Sequence, residues 1–460
     1  MQGRRTQNND TKIMNRLYTI FLALLTAIFL TGCYNSEDRE KVLKIYNWGD
    51  YIDEEVLAAF PEWYKEQTGE EISIVYQTFD INEIMLTKIE RGKEDFDVVC
   101  PSEYIIERML VKDLLLPIDT AFGKTPNYIH NISPYVRGEM DKLGLPGRPT
   151  SKYAVGYMWG TAGILYNKKY VSTEEASTWH SLWDSKFRNK LLMKDSYRDA
   201  YGTAVIYANR EALAKGDIKV DDLMNNYSPE AIATAEKYLK DLKPNIAGWE
   251  ADFGKEMMTK SKAYLNMTWS GDAVWAIEEA EAIGVELGYE VPKEGSNVWF
   301  DGWVIPRYAR NRKAASYFIN YLCRPDVALA NMETIGYVSA VATPEILEEK
   351  IDTTLETYSN LAYFFGPEAR HIQIDPIQYP DSAVVARCAI IRDSGERTQA
   401  VLDMWSHVKG DNLGGGLVIF ILLTLLVLVI YVSYKKIEKY RNKRNQNRRK
   451  RRVKRHHIRR

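Results

Sequence analysis

Residues 42–100 decide the fold, and they read VLKIYNWGDYIDEEVLAAFPEWYKEQTGEEISIVYQTFDINEIMLTKIERGKEDFDVVC. Hydrophobic spacing and turn residues predict a strand at 42–47, a helix at 53–68 that is interrupted at Pro61, a strand at 71–79, a helix at 82–91 and a buried strand at 96–100. Strands that alternate with helices in this way indicate βαβ units and a mostly parallel sheet. Ligands of open α/β sheets bind beyond the carboxyl ends of the strands, which is where Trp48 and Ser102 fall.

The chain beyond this stretch continues the α/β pattern. A loop rich in Gly and Pro covers residues 123–150, and a β-rich stretch at 153–166 follows it, which we expect to cross into a second lobe. Helices predicted at 229–242 and 273–282 fit a second α/β unit. Residues 34–412 are numerous enough for two lobes, each with a sizeable core.

Three couplets of an aromatic residue and an acid recur in the chain: Trp48-Gly49-Asp50-Tyr51, Trp269-Ser270-Gly271-Asp272 and Trp299-Phe300-Asp301. An indole face attracts a cation by about 0.5 to 2 kcal/mol, depending on desolvation, and it also covers methylene groups. A nearby carboxylate supplies the countercharge that a buried ammonium needs. For any single couplet, a core aromatic beside a solvated acid is the better explanation. The three couplets together favour a binding site for an organic amine.

Charge is distributed unevenly along the chain. Residues 435–460 hold 15 basic residues and one acid, and residues 1–32 hold four basic residues and one acid. The central body, residues 33–434, therefore has 42 basic and 60 acidic residues and a net charge of −18. An acidic body attracts cationic ligands and disfavours nucleic acid as its partner, although solubility alone also explains such a charge.

The N-terminal segment resembles a bacterial lipoprotein signal. Four basic residues precede an apolar run at 17–30, and Leu30-Thr31-Gly32-Cys33 ends that run. The apolar run is short for a membrane span. The resemblance implies that residues 1–32 are a signal peptide, that Cys33 becomes the lipidated N-terminus and that residues 33–40 are a tether. An uncleaved anchor is the competing interpretation.

The C-terminal segment predicts a transmembrane helix at 413–434, because residues 417–434 are almost uninterruptedly apolar. The basic residues of 435–460 place that tail in the cytoplasm by the positive-inside rule, and the acidic body then faces outward. We expect the body at the extracytoplasmic face of the plasma or inner membrane, held by a lipid, by this span or by both. Lys and Arg of the tail would contact membrane lipid, at about 1 kcal/mol each near anionic headgroups.

The sequence gives little indication of a cofactor, a metal site or a disulfide. Besides Cys33 there are Cys100, Cys323 and Cys388, which are too few and too scattered for a disulfide scaffold or a zinc site, and one disulfide among the three is left open. The six His residues have no metal-ligand spacing. We expect no cofactor and no metal.

An ordered set of motifs resembles the spermidine/putrescine-binding proteins of bacterial ABC importers. The motifs are Tyr46-Asn47-Trp48-Gly49-Asp50-Tyr51, Pro101-Ser102-Glu103-Tyr104, Trp299-Phe300-Asp301, Arg324-Pro325-Asp326 and Glu333-Thr334-Ile335-Gly336-Tyr337. The resemblance implies an α/β, two-lobe fold of the periplasmic binding protein type with hinge strands, and a monomeric ectodomain. It implies putrescine or spermidine as ligand, ABC permease subunits as partners and closure of the lobes on the ligand.

The resemblance also implies domain boundaries and site residues. Lobe 1 would comprise residues 41–152 and 301–342, and lobe 2 residues 153–300 and 343–409. Carried over position by position, the family's aromatic walls, hydroxyl and acids match Trp48, Asp50, Tyr51, Ser102, Tyr104, Asp199, Trp269, Asp272, Trp299, Asp301 and Tyr337.

Ser196 stands where spermidine binders often have Asp, and Asp199 is shorter than the family's Glu, whereas Asp50 and Asp272 resemble acids of the putrescine branch. A family Gln in the final segment has no assigned counterpart.

Two other functions compete with a transport receptor. Acid-rich clefts with tryptophans also occur in glycoside hydrolases, which need two carboxylates about 5 to 10 Å apart. The chain lacks a P-loop, a Gly-x-Ser-x-Gly elbow and a His-Glu-x-x-His motif, which disfavours an enzyme. The remaining alternative is a polyamine sensor, which would need a partner because the cytoplasmic tail is too short for a catalytic domain.

Overall fold

The computed structural model describes residues 39–251, 253–410 and 422–439. The chain divides into two compact units, one up to Thr398 and one from Gln399 onward. The predicted signal peptide 1–32, Cys33 and nearly all of the tether 33–40 lie outside the described residues. So does most of the basic tail 435–460.

The first unit contains one large sheet. Its strands are β1 (Val42–Trp48), β2 (Ser73–Phe79), β3 (Val98–Val99), β4 (Leu115–Leu116), β5 (Ala154–Asn167), β6 (Leu191–Lys194), β7 (Ile246–Glu250), β8 (Leu265–Trp269), β9 (Leu287–Glu290), β10 (Val298–Pro306) and β11 (Val338–Ser339). The hydrogen-bonded order is β2-β1-β3-β10-β5-β8-β6-β7, with β4 on β10 and with β9 and β11 on β5.

Helices connect these strands. The α-helices of the first unit are Glu54–Thr68, Asn82–Glu90, Glu103–Val111, Pro134–Asp141, Thr173–Ala176, His180–Trp183, Tyr197–Ala208, Arg210–Lys215, Val220–Met224, Pro229–Leu242, Gly254–Thr259, Ser270–Glu281, Arg312–Leu322, Pro325–Ile335, Pro344–Lys350, Ala362–Phe365 and Ser382–Val385. The predicted helices at 229–242 and 273–282 are confirmed, the second with a start three residues earlier. Strand β3 is shorter than the predicted run at 96–100.

Strand β5 joins two parallel sub-sheets, as the β-rich stretch at 153–166 predicted. Its first half pairs antiparallel with β10, which continues to β3, and β1 runs parallel to β2 and β3. Its second half, from Ala162, pairs antiparallel with β8 and β9, and β6 runs parallel to β7 and β8. Two α/β lobes therefore share one long strand.

The helix Glu54–Thr68 shows how local sequence places the first of these elements. The carboxylate of Asp53 accepts hydrogen bonds from the first-turn backbone, and Gly69 ends the helix at φ 75°. The predicted interruption at Pro61 is wrong, because the helix continues through it. Proline removes one backbone hydrogen bond, but the buried rings of Phe60, Trp63 and Tyr64 hold both sides of it against the core.

The buried cores locate the C-terminal part of the first unit. Leu361, Phe364 and Tyr379 belong to the hydrophobic cluster of the first lobe, where the Phe364 ring stacks on Trp159 at 5.1 Å between centroids. The hydroxyl of Ser133, also in that lobe, donates to the Phe364 carbonyl at 2.9 Å. We propose that residues 343–379 go with the first lobe, although the sequence assigned 343–409 to the second.

The second unit contains the helix Thr398–Gly410, which begins at the last residue of the first unit, and a helix at residues 422–439. The predicted membrane span 413–434 lies only partly within the described residues, since 411–421 are outside them. Across the described ranges, no helix meets the length and apolarity that a membrane crossing requires.

Candidate functional site

The predicted site residues gather at one edge of the sheet. Trp48 ends β1, Ser102 follows β3, Trp269 ends β8, and Asp199 lies in the helix Tyr197–Ala208 that follows β6. These are carboxyl ends of parallel strands, where the expected ligand edge of an α/β sheet lies. Trp299 and Asp301 reach the same edge from β10.

Asp301 lies on β10 and is buried. One oxygen, Oδ2, accepts a hydrogen bond of 2.8 Å from the Tyr51 hydroxyl, while Oδ1 is buried without a hydrogen-bond partner. Ser102 lies opposite Asp301 in an isolated antiparallel bridge. Burial raises the pKa of Asp301 to about 6, against the opposing effect of Ser102 and Tyr51. The site thus contains a carboxylate with an open hydrogen-bonding position.

Aromatic rings connect Asp301 to a second acid. The Tyr337 ring makes edge contacts with Tyr51 at 5.7 Å and with Trp299 at 5.4 Å between centroids. The Tyr337 hydroxyl donates to Asp272 Oδ1 at 2.9 Å. A Cβ on Gly271 would overlap the Tyr337 ring, so glycine at that position lets the ring lie against the helix Ser270–Glu281. Acids and rings from both lobes therefore form one continuous cluster.

Lys194, at the end of β6, is part of this cluster and was missed by sequence reasoning. Its ammonium lies 2.6 Å from Asp272 Oδ2 and 3.2 Å from Glu250 Oε1, and 4.4 Å from the centroid of Trp269. Burial lowers the pKa of Lys194, but Asp272 and Glu250 outweigh burial, so the pKa is raised. The charged lysine is therefore the ion-pair partner of Asp272.

Asp199 is an acid of the cluster that lies on the second-lobe side. Its Oδ1 accepts a hydrogen bond of 3.1 Å from Asn297 Nδ2, and Ser196 caps the helix by accepting from the Asp199 backbone. Burial raises the pKa of Asp199, and hydrogen bonds with Ser196, Asn297 and Trp269 oppose that rise. The residue that departs from the spermidine-type pattern, Ser196, therefore has a helix-capping role.

Arg198 is the second basic residue that sequence reasoning missed. Its guanidinium is buried 3.8 Å from the centroid of Tyr104 and lies 3.6 Å from Glu83 Oε1. Tyr197 donates to the same glutamate at 2.8 Å. Since Tyr104 and Glu83 belong to the first lobe and Tyr197 and Arg198 to the second, these contacts join the lobes across the cleft.

Three polar residues, Asn82, Ser102 and Glu103, lie on the first-lobe side of the cluster. Asn82 Nδ2 donates to Ser102 Oγ at 3.1 Å and to the Tyr104 hydroxyl at 2.9 Å. Ser102 occupies the N-cap position of the helix Glu103–Val111 but makes no side-chain capping bond. Glu103, also missed, is buried, and burial with the charges of Asp301 and Asp199 raises its pKa well above the usual range.

Trp48 and Asp50 stand apart from the other nine predicted residues. Asp50 is exposed, with a left-handed backbone at φ 50°, and Trp48 packs on Phe79 at 4.6 Å between centroids. In the part of the chain that the structure describes, neither side chain takes part in the hydrogen bonds and ring contacts that join the others. Their position at the end of β1 leaves them at the same edge of the sheet.

Two α/β lobes that share the long strand β5 and enclose an acidic, aromatic cleft define a two-lobe solute-binding protein. The family described as bacterial extracellular solute-binding protein matches residues 60–353, and this chain belongs to it. Because that family consists of solute-binding proteins, the chain is a solute-binding protein and not an enzyme.

Curated relatives and solved structures agree with the resemblance found in the sequence. The chain is 31% identical over 373 residues to the spermidine/putrescine-binding periplasmic protein of Escherichia coli strain K12, covering 81% of this chain and 92% of the relative. It is 31% identical over 326 residues to the putrescine-binding periplasmic protein PotF of the same strain, covering 67% and 81%.

Among solved structures, the putative spermidine/putrescine ABC transporter from Listeria monocytogenes superposes with a TM-score of 0.62 at 29% identity, covering 80% of this chain and 99% of that one. The predicted two-lobe fold of the periplasmic binding protein type is confirmed.

Proposed function

We propose that this protein is an extracytoplasmic receptor that binds a polyamine, putrescine or spermidine, in the cleft between its lobes and delivers it to the permease of an ABC importer. Asp301 carries the proposal. Its buried carboxylate has one oxygen without a partner, and the other accepts from Tyr51. The Tyr337 ring contacts the rings of both Tyr51 and Trp299. An ammonium group that donates to that oxygen would satisfy a buried charge that is otherwise costly.

The surroundings of Asp301 suit the rest of a polyamine. Methylene groups need an apolar cover, and the rings that line the cleft provide it without hydrogen-bonding demands of their own. The contacts of Glu83 with Tyr197 and Arg198 join the lobes across the cleft, so they would break when the lobes open to release the ligand. The named functions of the relatives support the same ligand class and the same transport system.

Calorimetric titration of the full-length chain tests this proposal. We expect saturable heat at micromolar or lower concentration with at least one of putrescine, cadaverine, spermidine and spermine, and none with glucose or maltose. A silent titration with all four amines would contradict the proposal.

Attachment to the membrane belongs to the same proposal. We infer that the chain is held at the membrane by lipidation of Cys33, by a span at residues 413–434 with the tail 435–460 in the cytoplasm, or by both, and that the ectodomain is monomeric. Labelling cells with a radioactive fatty acid tests the lipidation, because Cys33→Ala should abolish incorporation while the unchanged chain is labelled.

A further inference from the structure

The ammonium of Lys194 occupies a cage of the kind that recognises a ligand amine. It contacts the carboxylates of Asp272 at 2.6 Å and Glu250 at 3.2 Å and the carbonyl of Ala251 at 2.9 Å, and it lies 4.4 Å from the centroid of Trp269. Only 1% of Lys194 is exposed. Carboxylates, a carbonyl and an indole face are the groups that stabilise a desolvated ammonium. The protein therefore fills an amine-binding position with its own side chain.

This position is continuous with the rest of the cleft. Asp272 uses its other oxygen, Oδ1, to accept from the Tyr337 hydroxyl at 2.9 Å. Tyr337 contacts Tyr51, whose hydroxyl bonds to Asp301 at 2.8 Å. The cage around Lys194 is thus one end of the row of groups that leads to the open carboxylate.

The two ends of that row, the Lys194 cage and Asp301, differ in whether their acids are paired with cations. Lys194 and Lys255, the latter 3.7 Å from Asp272, match the charges of Asp272 and of the glutamate in the cage. By contrast, neither Asp301 nor Asp199 forms an ion pair with another residue in the described ranges. Among the buried acids of the cleft, Asp272 and Glu250 are therefore already paired with lysines, and Glu103 accepts a hydrogen bond from the Phe300 backbone. Asp301 and Asp199 are the acids that a cationic ligand would neutralise.

We propose that Lys194 is a specificity-determining residue whose ammonium takes the place of a third ligand amine, so that the cleft selects diamines over triamines. The inference rests on the proposed polyamine function. A diamine places its two cations at Asp301 and Asp199, whereas the third ammonium of a triamine would meet Lys194 or lose its countercharge. Either outcome weakens binding, because a buried cation without a partner is unfavourable.

Substitution of Lys194 by methionine tests the proposal, since methionine keeps most of the length and removes the charge. We expect the unchanged chain to bind putrescine about tenfold more tightly than spermidine, a difference of about 1.4 kcal/mol. In Lys194→Met that preference should fall about tenfold or reverse, because Asp272 and Glu250 then accept the third ammonium. Calorimetric titration of both amines with both full-length proteins gives the ratio directly.

A second variant covers the case in which Lys194→Met does not fold, because that substitution leaves buried acids without a cation. The double substitution Lys194→Met with Glu250→Gln removes one of those charges and should show the same shift in preference. Lys65→Met is the matched surface control, because the Lys65 side chain is half exposed and its ammonium pairs with Glu71 at 3.0 Å rather than with a residue of the cleft. It should leave both affinities unchanged.

An independent measurement asks whether the cage binds a free ammonium. Lys194→Ala removes a propylamine-sized fragment, and added propylammonium should raise the melting temperature of that variant while propanol should not. The same additions should not distinguish Lys65→Ala from the unchanged chain.

Equal affinities of the unchanged chain for putrescine and spermidine, or a ratio that Lys194→Met leaves as it was, would overturn the role of Lys194 while the receptor function stands. A failure of every polyamine to bind the unchanged chain would instead remove the proposed function itself. In that case, propylammonium rescue would still show whether the Lys194 cage is an ammonium site.

Discussion

The substitution Asp301→Asn tests two effects of this carboxylate: it destabilises the ligand-free folded protein, and it strengthens polyamine binding. Burial raises the pKa of Asp301 to about 6 from the ordinary value of 3.8. A raised folded-state pKa means that the folded protein binds the proton more tightly than the unfolded chain. Stability from this group is thus complete below the ordinary pKa and is lost as the pH rises through about 6. Asparagine has no charge and removes that dependence.

The size of this stability effect follows from the pKa shift of Asp301. Two pKa units correspond to about 3 kcal/mol, so the charged form destabilises the ligand-free protein at pH 7 by about that amount. Asparagine also places an amide nitrogen where Oδ1 has no partner, which costs about 1 to 3 kcal/mol at any pH. This second cost cancels when one variant is compared at two pH values. The change in unfolding free energy caused by Asp301→Asn should therefore be about 2 to 3 kcal/mol more favourable at pH 7 than at pH 4.

Urea unfolding of the ligand-free protein at the two pH values measures this difference. Asp217→Asn is the matched control, because Asp217 is exposed and its substitution should have the same effect at both values. Calorimetry at pH 7 should show that Asp301→Asn also weakens polyamine binding at least tenfold, about 1.4 kcal/mol or more, since the countercharge is lost. Equal effects at pH 4 and pH 7, or an unchanged titration, would refute the assignment of Asp301 as the buried ligand acid.

Three further outcomes follow from the same cluster. The polyamine affinity of the unchanged chain should fall as the pH drops through about 6, because protonated Asp301 has no negative charge to pair with an ammonium. An affinity that calorimetry finds constant between pH 5 and 7 would contradict this. Trp269→Ala should weaken binding at least tenfold in the same assay, because it removes a wall of the cleft and the hydrogen bond to Asp199. Gly271→Ala should lower stability by about 1 to 3 kcal/mol in urea unfolding, since its methyl group would overlap Tyr337.

Two substitutions serve as controls for these outcomes. Trp275, on the same helix as Gly271, is 43% exposed, so Trp275→Ala should leave affinity unchanged. A Cβ at Gly138, inside the helix Pro134–Asp141, would meet open space, and Gly138→Ala should stabilise by about 0.5 to 1 kcal/mol. If Gly138→Ala and Gly271→Ala lowered the free energy of unfolding equally, the overlap with Tyr337 would not be the cause of the loss in Gly271→Ala.

The sequence predicted most of the strands and helices of residues 42–100, although the interruption at Pro61 was wrong, and it pointed to acids and rings that share one edge of the sheet. Alternation of strands and helices placed β1 and its neighbours, and couplets such as Trp299-Phe300-Asp301 identified residues that the fold brings to one edge of the sheet. These signals are local in the chain, since a strand's hydrophobic pattern and a turn residue are visible within about ten positions.

Contacts between distant residues were not visible in the sequence. Lys194 and Asp272 are 78 positions apart, and nothing in the run Leu191–Lys194 distinguishes a cleft lysine from a solvated one at a strand end. Arg198 was missed for the same reason, because its neighbours Tyr104 and Glu83 belong to the other lobe. The packing of residues 361–379 against the first lobe likewise depends on a surface that forms only in the folded chain.

The path of the chain through β5 and β10 has a consequence for the order in which the lobes can fold during synthesis. Strand β10 and the buried residues around Phe364 complete the first lobe's core, yet they emerge from the ribosome after the whole run from Ala162 to Asn297. The first lobe, whose synthesis starts first, therefore completes its core last. Its folding depends on contacts of long sequence separation, which form slowly. A nascent chain of this kind stays open while it is being made, which is the state that passage through a secretion channel requires.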